Sequence, residues 1–485
     1  MLRRSTGGDS LFTAMRYPIL ILCAAACAAA ADPLSVPHDD NPDPNRSQIR
    51  QMQHETRPPV PESEGGDEAV SMSEDDLVAQ PDLLQNALDT AVARQHVGNI
   101  RFLLPLYRRL DEKRRDAVFE AYAESFLLRE DGQYARAEEK LRAILAQNPE
   151  YAPVRLQLAL TLSQSGQTRE AAAEVAKVKA VPDLPPDTAA YLDSFSAYLK
   201  RERAWQFDAN AYYIAERNVG RAPKEREYGP WRFPEARAAH GLGYEASAGK
   251  TVPLKKHWAA RVQASVYGKF YWDAHDYDDL NARIEAGPVY RSGSGETSLM
   301  PFAEKRWYGT QAYSHTAGGV LRHSHNLSAK TMLFTSWQTG YKQHKERDHL
   351  DGASHGGALS LVYQSSPQQY FVFGAGAGRE NARDPSEAYR HGSLRAGWTR
   401  RWSGGEGLAT SLNGSVRRSL YRAEDFFNIR RRDTEYSVRV SAGHKKLSWK
   451  GFTPRLNWTW SYLASNHFYY RRHESRVFLD VSKQF

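Results

Sequence analysis

The feature that most constrains the fold is a two-residue alternation of apolar and polar side chains, which runs from about residue 203 to the C-terminus. In "HWAARVQASVYGKFYW" (257–272), one face begins and ends with Trp258 and Trp272 and has Ala and Val between them. The opposite face carries Arg261 and Lys269. A lipid-facing strand has this form, with aromatic residues at both membrane interfaces and polar residues towards a wet interior. The alternation therefore predicts a transmembrane β-barrel.

Composition favours the same class of protein. The chain has a mean hydropathy of -0.66 yet contains 11 Trp and 26 Tyr, which suits a barrel with aromatic girdles. A net charge of +8 by itself suggests nucleic acid, but the charges are scattered among connections and polar strand faces, so nucleic acid is not predicted as a partner. A soluble β-sandwich also alternates and stays as the alternative fold.

The connections between strands sort by length. Fourteen alternating segments fit between Ala204 and Phe485, at ~9–11 residues for each membrane-spanning strand. Short connections alternate with longer and more charged ones: 291–295, 364–369 and 403–406 against 216–239, 343–354, 378–388 and 421–433. Outer-membrane barrels have short periplasmic turns and long outer loops. An even strand number then places both ends of the barrel segment, and the region before it, in the periplasm.

The last ten residues, "RVFLDVSKQF", explain how the barrel closes. The final strand must pair with the first, because an open strand edge in lipid leaves backbone groups without hydrogen bonds. Six residues are predicted to face outward at this closure: Trp205, Phe207, Val477, Leu479, Val481 and Phe485. A terminal Phe also resembles the signal that the barrel-assembly machinery recognises, so that machinery is a predicted partner during biogenesis.

The region 78–202 has a helical pattern and an internal repeat. "DGQYARA" contains Gly132 and Ala137, and "SGQTREA" contains Gly166 and Ala171, so both pairs are 34 residues apart; Pro149 follows the first pair. Period 34 with a turn glycine, a small packing residue and a terminal proline is the tetratricopeptide pattern. An ordinary helical bundle with coincident glycines is the alternative. Stacked repeats would present a concave face to an extended peptide or a helix.

The N-terminal residues are typical of an exported protein. Residues 1–31 are predicted to be a signal peptide, with Arg16 before an apolar run and small residues after it. Cys23 and Cys27 lie within this segment, so the mature chain is predicted to have no disulfide; the alternative is a lipoprotein with Cys27 as the lipidated residue. The Pro-rich residues 32–77 are predicted to be a disordered leader.

No set of residues predicts catalysis. The chain contains no P-loop sequence, and "HSHN" (323–326) is interpreted as polar lumen or loop histidines rather than a metal site. We therefore expect no enzyme activity, no cofactor and no metal. Candidate lumen residues are Arg261, Lys269, Arg283 and Glu285, with a merely solvated wall as the alternative for each.

Several stretches resemble one family, from about residue 80 to residue 485. They are "GNIRFLLPLY" (98–107), "YGPWRFP" (228–234), "WYGTQAYSHTAG" (307–318), "RRRD" (430–433) and "GFTPRL" (451–456). These stretches, with a helical repeat domain before a fourteen-stranded barrel, resemble the surface lipoprotein assembly modulator (Slam) family.

The resemblance implies an outer-membrane translocator. Its clients would be surface lipoproteins or secreted haem- and iron-capturing proteins, bound by the helical repeats and passed through the barrel. Membrane lipid would be the other partner. The alternative is a polysaccharide-export barrel, whose lumen should carry dense charge of one sign; here both signs are mixed.

Overall fold

The computed structural model describes residues 72–328, 330–405 and 407–484. The predicted signal peptide (1–31), nearly all of the predicted leader and Phe485 lie outside the described residues. Two regions follow one another along the chain: helices first, then a sheet that closes on itself.

Eight α-helices form the N-terminal region of the described chain. They are α1 (Glu74–Val78), α2 (Pro81–Ala93), α3 (Val97–Tyr107), α4 (Ala117–Glu130), α5 (Tyr134–Gln147), α6 (Ala152–Gln164), α7 (Thr168–Lys179) and α8 (Pro186–Arg201). Helix α1 begins inside the predicted leader, before the boundary expected at residue 78. It starts there because the Ser73 hydroxyl accepts a hydrogen bond from the Asp76 amide (3.2 Å) and caps the helix.

The repeat pattern corresponds to two helical hairpins, α4–α5 and α6–α7. Gly132 and Gly166 stand in the two turns with φ of 74° and 87°, a left-handed conformation that glycine adopts without strain. Ala137 and Ala171 are fully buried where the helices cross. Pro149 follows α5, and its carbonyl accepts a hydrogen bond from Arg155 on α6. The predicted solenoid of helical repeats is confirmed.

Fourteen strands form the closed antiparallel barrel: β1 (Gln206–Glu216), β4 (Ala239–Pro253), β5 (Trp258–Tyr271), β6 (Asp279–Ser292), β7 (Gly295–Tyr308), β8 (Gln311–Ser328), β9 (Thr331–His344), β10 (Gly352–Ser366), β11 (Gln369–Ala382), β12 (Tyr389–Arg401), β13 (Leu408–Glu424), β14 (Arg430–His444), β15 (Thr453–Ser465) and β16 (Arg472–Gln484). Each pairs with its neighbour in sequence, and β16 pairs with β1. Two short strands, β2 (Glu227–Tyr228) and β3 (Trp231–Arg232), form a hairpin in the first long loop. The predicted fourteen-stranded barrel is confirmed.

The two faces of the barrel wall differ as the alternation requires. On β5, Trp258 is 51% exposed on the outer face while Arg261 is 5% exposed on the inner face. Exposed Trp and Leu on the outside are the expected surface for lipid. No helix in the described ranges has the length and apolarity to span a membrane.

Most loops follow the predicted sorting, but residues 445–452 between β14 and β15 form a connection on the short-turn side that is longer than residues 425–429 between β13 and β14 on the other side. The β6–β7 turn has only residues 293–294 between the strands, whereas residues 217–238 separate β1 from β4. We call the two ends of the barrel the short-turn rim and the long-loop rim. The opposite exception is the β7–β8 connection on the long-loop rim, where Gly309 (φ 57°) and Thr310 (φ 66°) form a tight hairpin turn. Two successive positive φ values match the twist of a two-residue hairpin.

Candidate functional site: the barrel interior and its entrance

The interior wall carries an ion cluster near the short-turn rim. Glu296 on β7 accepts two hydrogen bonds from the Arg261 guanidinium, at 2.7 and 2.8 Å. It accepts a third from Nε of Arg291 at 3.0 Å. The side chains of Arg261 and Glu296 are only 4% and 3% exposed. A charge pair so enclosed is retained only where its hydrogen bonds are nearly complete, so this cluster fixes the register of β5, β6 and β7.

A second cluster lies further along the same wall. Glu285 accepts hydrogen bonds from both Nη atoms of Arg322, at 2.6 and 3.0 Å, and from Arg283 Nε at 2.7 Å. Arg283 also donates to Oε1 of Gln338 (3.0 Å) and lies over the Phe302 ring at 3.7 Å. These contacts link β6 to β7, β8 and β9 across the inner surface.

A third cluster lies beside the strand that begins the barrel. Lys269 Nζ on β5 donates to Oε1 of Glu216 at 2.7 Å, and Arg476 on β16 approaches the same oxygen at 3.5 Å. Glu216 thus lies between two cations, one from each side of the β1 strand.

The structure places all four candidate lumen residues, Arg261, Lys269, Arg283 and Glu285, on the inner wall, each in an ion pair. Sequence reasoning did not name their partners: Glu216, Arg291, Glu296, Glu304, Arg322 and Gln338. The strand alternation could have assigned each partner to the inner face. Only the register says which of them meet. Because acids and bases neutralise one another in these three clusters, this part of the wall is polar without a strong field of one sign.

The helical region contacts the short-turn rim at the β4–β5 turn. The Ser165 carbonyl is 3.1 Å from Nδ1 of His257, and Oε1 of Glu170 accepts a hydrogen bond from the Lys256 amide at 2.9 Å. Nη1 of Arg169 donates to the Leu254 carbonyl at 3.3 Å. The second repeat is therefore held beside the entrance of the barrel by several polar contacts.

Two glycines allow a close approach at the neighbouring β6–β7 turn. A Cβ placed on Gly166 would lie 2.7 Å from Cβ of Arg291, and one placed on Gly293 would lie 1.9 Å from the Tyr134 ring. Both distances are shorter than any ordinary carbon contact, so larger residues would force the two regions apart. Nη1 of Arg291 also lies 3.8 Å from Oε2 of Glu202, in the segment that joins α8 to β1.

Helix α4 carries a cation among aromatic rings in its last turn. The Arg129 guanidinium on α4 lies 5.7 Å from the centre of the Phe126 ring, and Tyr122 and Tyr191 interact with it electrostatically. Burial raises the pKa of Tyr191 to about 12 and lowers the pKa of Arg129. A partly buried cation flanked by rings is suited to bind a carboxylate or an aromatic side chain of a peptide.

The residues predicted at the closure face outward where the structure describes their side chains. Trp205, Phe207, Val477 and Leu479 are 48%, 49%, 66% and 52% exposed. Val481 pairs with Ala211 across the junction of β16 and β1.

The histidines of "HSHN" lie on the outer face of β8, in the same alternation as the exposed Leu321 and Leu327, so their interpretation as lumen or loop histidines is wrong. His323 has a 2.8 Å hydrogen bond to Thr297, and its ring lies 6.0 Å from that of His325. In the part of the chain that the structure describes, no group of three His, Cys, Asp or Glu is placed to hold a metal ion.

Comparison with family models shows which protein family the chain belongs to. Residues 205–485 match the model "Surface lipoprotein assembly modifier", and residues 70–175 match "Surface lipoprotein assembly modifier, N-terminal TPR repeats". The chain belongs to the surface lipoprotein assembly modifier family. The resemblance noted in the sequence is confirmed, as is a bacterial outer-membrane barrel with a periplasmic helical domain.

Relatives in this family align with most of the chain. Surface lipoprotein assembly modifier 1 of Haemophilus influenzae is 29% identical over 468 residues, which cover 93% of this chain and 96% of that protein. Its namesake in Neisseria meningitidis is 29% identical and covers 84% of each. The hemophilin secretion modulator of Acinetobacter baumannii is 24% identical over 72% of this chain and 75% of its own length.

Solved barrels resemble this one only loosely. A Pseudomonas aeruginosa FadL homologue superposes with a TM-score of 0.33 and 8% identity, over 58% of this chain and 89% of that chain. A bacterial polysaccharide outer membrane secretin gives 0.30 and 13%, over 59% and 99%. Similarity at this level carries no functional argument.

Proposed function

We propose that this protein moves client proteins from the periplasm to the cell surface. The clients are surface lipoproteins or related secreted haem- and iron-capturing proteins. The observation that carries the proposal is the position of the repeats, whose second hairpin contacts the turns at the entrance of a closed barrel. A client bound by the repeats is then already beside the opening.

The chemistry of the wall suits an extended polypeptide. Each inner cation that we followed is paired with an acid, so the wall offers hydrogen bonds without holding a segment of either charge tightly. Fourteen strands lie between small filled barrels and the wide porins. Such a lumen passes an unfolded chain and excludes a folded domain. The proposed activity is transport without a covalent step.

Direction has to come from the client. The periplasm supplies no nucleotide, and the sequence has no P-loop. Folding of the client outside the cell makes its return unfavourable and so drives net movement. A client shown to cross already folded would contradict this source of direction. Insertion of the barrel itself is assigned to the barrel-assembly machinery, and lipid covers its outer face.

Polysaccharide export is the weaker candidate because balanced charge on the wall does not select a uniformly charged glycan.

Surface protease shaving tests protein transport directly. Lipoproteins of intact cells are digested with and without this protein, and their remaining full-length fraction is compared. We expect some of them to lose surface exposure in the deletion strain and to regain it on complementation. Unchanged exposure of every lipoprotein and secreted haem-binding protein would refute the proposal.

The repeats supply the client-binding surface in this account, and Arg129 is the residue to test. We expect Arg129→Gln to lower client exposure while the barrel still forms, and Arg129→Lys to restore part of it. The exposed Arg142, which pairs with Glu138 on α5, gives the matched control Arg142→Gln, with no expected effect. Equal surface exposure of the client in all three variants would show that Arg129 is not part of the client-binding surface.

A further inference from the structure

The junction between the first and last barrel strands is paired over only part of its length. The β1–β16 ladder runs from Asp208↔Gln484 to Tyr212↔Asp480, whereas β1 pairs with β4 along all of Gln206–Glu216. Within the described residues, 213–216 of β1 and 472–479 of β16 form no ladder with each other. Backbone groups without partners are costly in lipid, so the half of this seam next to the long-loop rim is the weakest part of the wall.

Side chains, rather than a ladder, bridge this half of the seam. Arg476 Nη1 lies 3.5 Å from Glu216 Oε1, and the rings of Tyr212 and Phe478 are 5.5 Å apart. Rotation of a few side chains breaks such contacts without disturbing the neighbouring ladders. The seam can therefore open while β1 stays paired with β4 and β16 with β15.

On the inner side of the seam, an apolar cluster lies next to the ion cluster of Lys269, Glu216 and Arg476. A buried cluster lies here on the inner face of β1, β4 and β5 and in the adjoining loops. Its members are Tyr212, Ile214, Val219, Ala239, Tyr271 and Ala274, with Tyr277 and Phe478 packed against them. These side chains are buried against one another, so an acyl chain reaches them only when the seam opens.

We propose that the open half of the seam is a lateral exit that takes the acyl chains of a lipidated client. This inference rests on the proposed function and adds the route of the lipid. Every CH₂ group is less stable in polar than in apolar surroundings, so acyl chains do not stay among ion pairs. The apolar cluster receives them, and the seam releases them sideways into the outer leaflet while the polypeptide leaves through the long-loop rim.

An aromatic strap lies over the same seam. The β2–β3 hairpin, in the loop that follows β1, stacks Tyr228 on Phe468 of the β15–β16 loop at 4.0 Å. Its Trp231 also contacts Phe426 of the β13–β14 loop, with ring centres 5.5 Å apart. The hairpin therefore connects the two sides of the seam from outside, and passage of a lipid anchor requires it to move.

A disulfide tests the exit. Continuing the ladder by three residues sets Ala215 opposite Val477, both exposed on the lipid face. The lock variant is Ala215→Cys with Val477→Cys. The matched control is Ala211→Cys with Val481→Cys, which joins the half that is already paired. Cys23 and Cys27, the two cysteines of the sequence, lie in the predicted signal peptide, so the engineered pairs have no expected competitor.

Two client probes are used. The first is a lipoprotein whose exposure depends on this protein in the shaving experiment. The second is its unlipidated form, in which the acceptor Cys is replaced by Ala and an ordinary secretory signal directs export. We expect the oxidised lock to abolish delivery of the lipidated form, to spare the unlipidated form, and to be reversed by reductant. The control disulfide should leave both forms delivered. Normal delivery of the lipidated client through the oxidised lock would overturn the proposal.

A second variant covers the case in which the lock does not oxidise fully. Ile214→Asn puts a polar group into the apolar cluster, and we expect it to reduce delivery of the lipidated form more than of the unlipidated form. Heat-modified mobility in electrophoresis confirms that each barrel is folded. If the two forms fall equally, the cluster has no role in lipid passage. If the unmodified protein delivers neither form, it is the transport function that fails.

Discussion

The contact between the repeats and the barrel can be tested with two glycines that are equivalent in sequence and differ in surroundings. Gly132 and Gly166 occupy the same turn position of successive repeats, both with positive φ. A Cβ on Gly132 meets nothing within 4 Å, whereas one on Gly166 would lie 2.7 Å from Cβ of Arg291 on the barrel. Substitution by Ala therefore strains both turns and disturbs the interface in one case only.

The magnitudes follow from these two effects. A left-handed conformation costs an Ala about 1–2 kcal/mol, and both variants lose this much stability in the helical domain. Overpacking adds about 1–3 kcal/mol, and it acts on Gly166→Ala alone. Since about 1.4 kcal/mol corresponds to a tenfold change in an equilibrium constant, the equilibrium constant for docking should fall by roughly five-fold to a hundredfold in Gly166→Ala.

Disulfide trapping measures the docked population. Glu170→Cys and Lys256→Cys report the contact, because the Glu170 carboxylate bonds to the Lys256 amide. In this background, we expect Gly166→Ala to slow cross-linking strongly and Gly132→Ala to leave it nearly unchanged. Both should show a similarly lowered melting temperature of the helices and normal heat-modified mobility of the barrel. Equal cross-linking rates in the two variants would refute the inference that Gly166 is needed for close contact with the barrel.

Three further predictions concern single interactions. Glu296→Ala leaves the buried Arg261 without its partner and should lower barrel stability by about 3–5 kcal/mol, measured by urea unfolding in detergent; a loss below about 1 kcal/mol would mean that the pair is solvated. Burial opposes ionisation of Glu174, but hydrogen bonds from Lys177 and Arg155 outweigh it and hold its pKa below 4.5. The stabilisation that ionised Glu174 contributes is thus complete above pH 4.5 and is lost as the pH falls through the lowered pKa. The difference in helical-domain stability between wild type and Glu174→Gln should therefore shrink in acid. A difference that stays constant with pH would contradict this. Ser73→Ala removes the cap of α1 and should speed amide exchange there, with a cost of about 1 kcal/mol; unchanged exchange would show that the cap does not hold the helix.

Much of the barrel could be predicted because the requirement for apolar residues outside and polar residues inside applies to each strand separately. Lipid outside and water inside force alternate residues to opposite faces, so Arg261 could be assigned to the interior and Trp258 to the exterior from one strand alone. The turn glycines of the repeats were equally visible, since a left-handed turn selects glycine wherever it occurs.

Contacts that depend on the pairing of distant strands were not predictable. Glu296 and Arg261 meet because β5, β6 and β7 take one particular register, and the alternation is the same in every register that preserves the faces. The contact between Gly166 and Arg291 depends on how the whole helical domain is oriented against the barrel, which no local sequence pattern determines. The length of the β1–β16 ladder also could not be predicted from the sequence, because the apolar alternation of β16 continues past the point where pairing stops.

Reconstitution gives the most direct test of the central claim. The purified protein is placed in liposomes, and an unfolded lipoprotein client is released on the side of the helical domain. Protease on the other side then reports arrival. The account predicts cleavage of the client only in vesicles that contain the protein, and a rate that falls with Gly166→Ala. Full protection of the client in vesicles with correctly folded and oriented protein would contradict it.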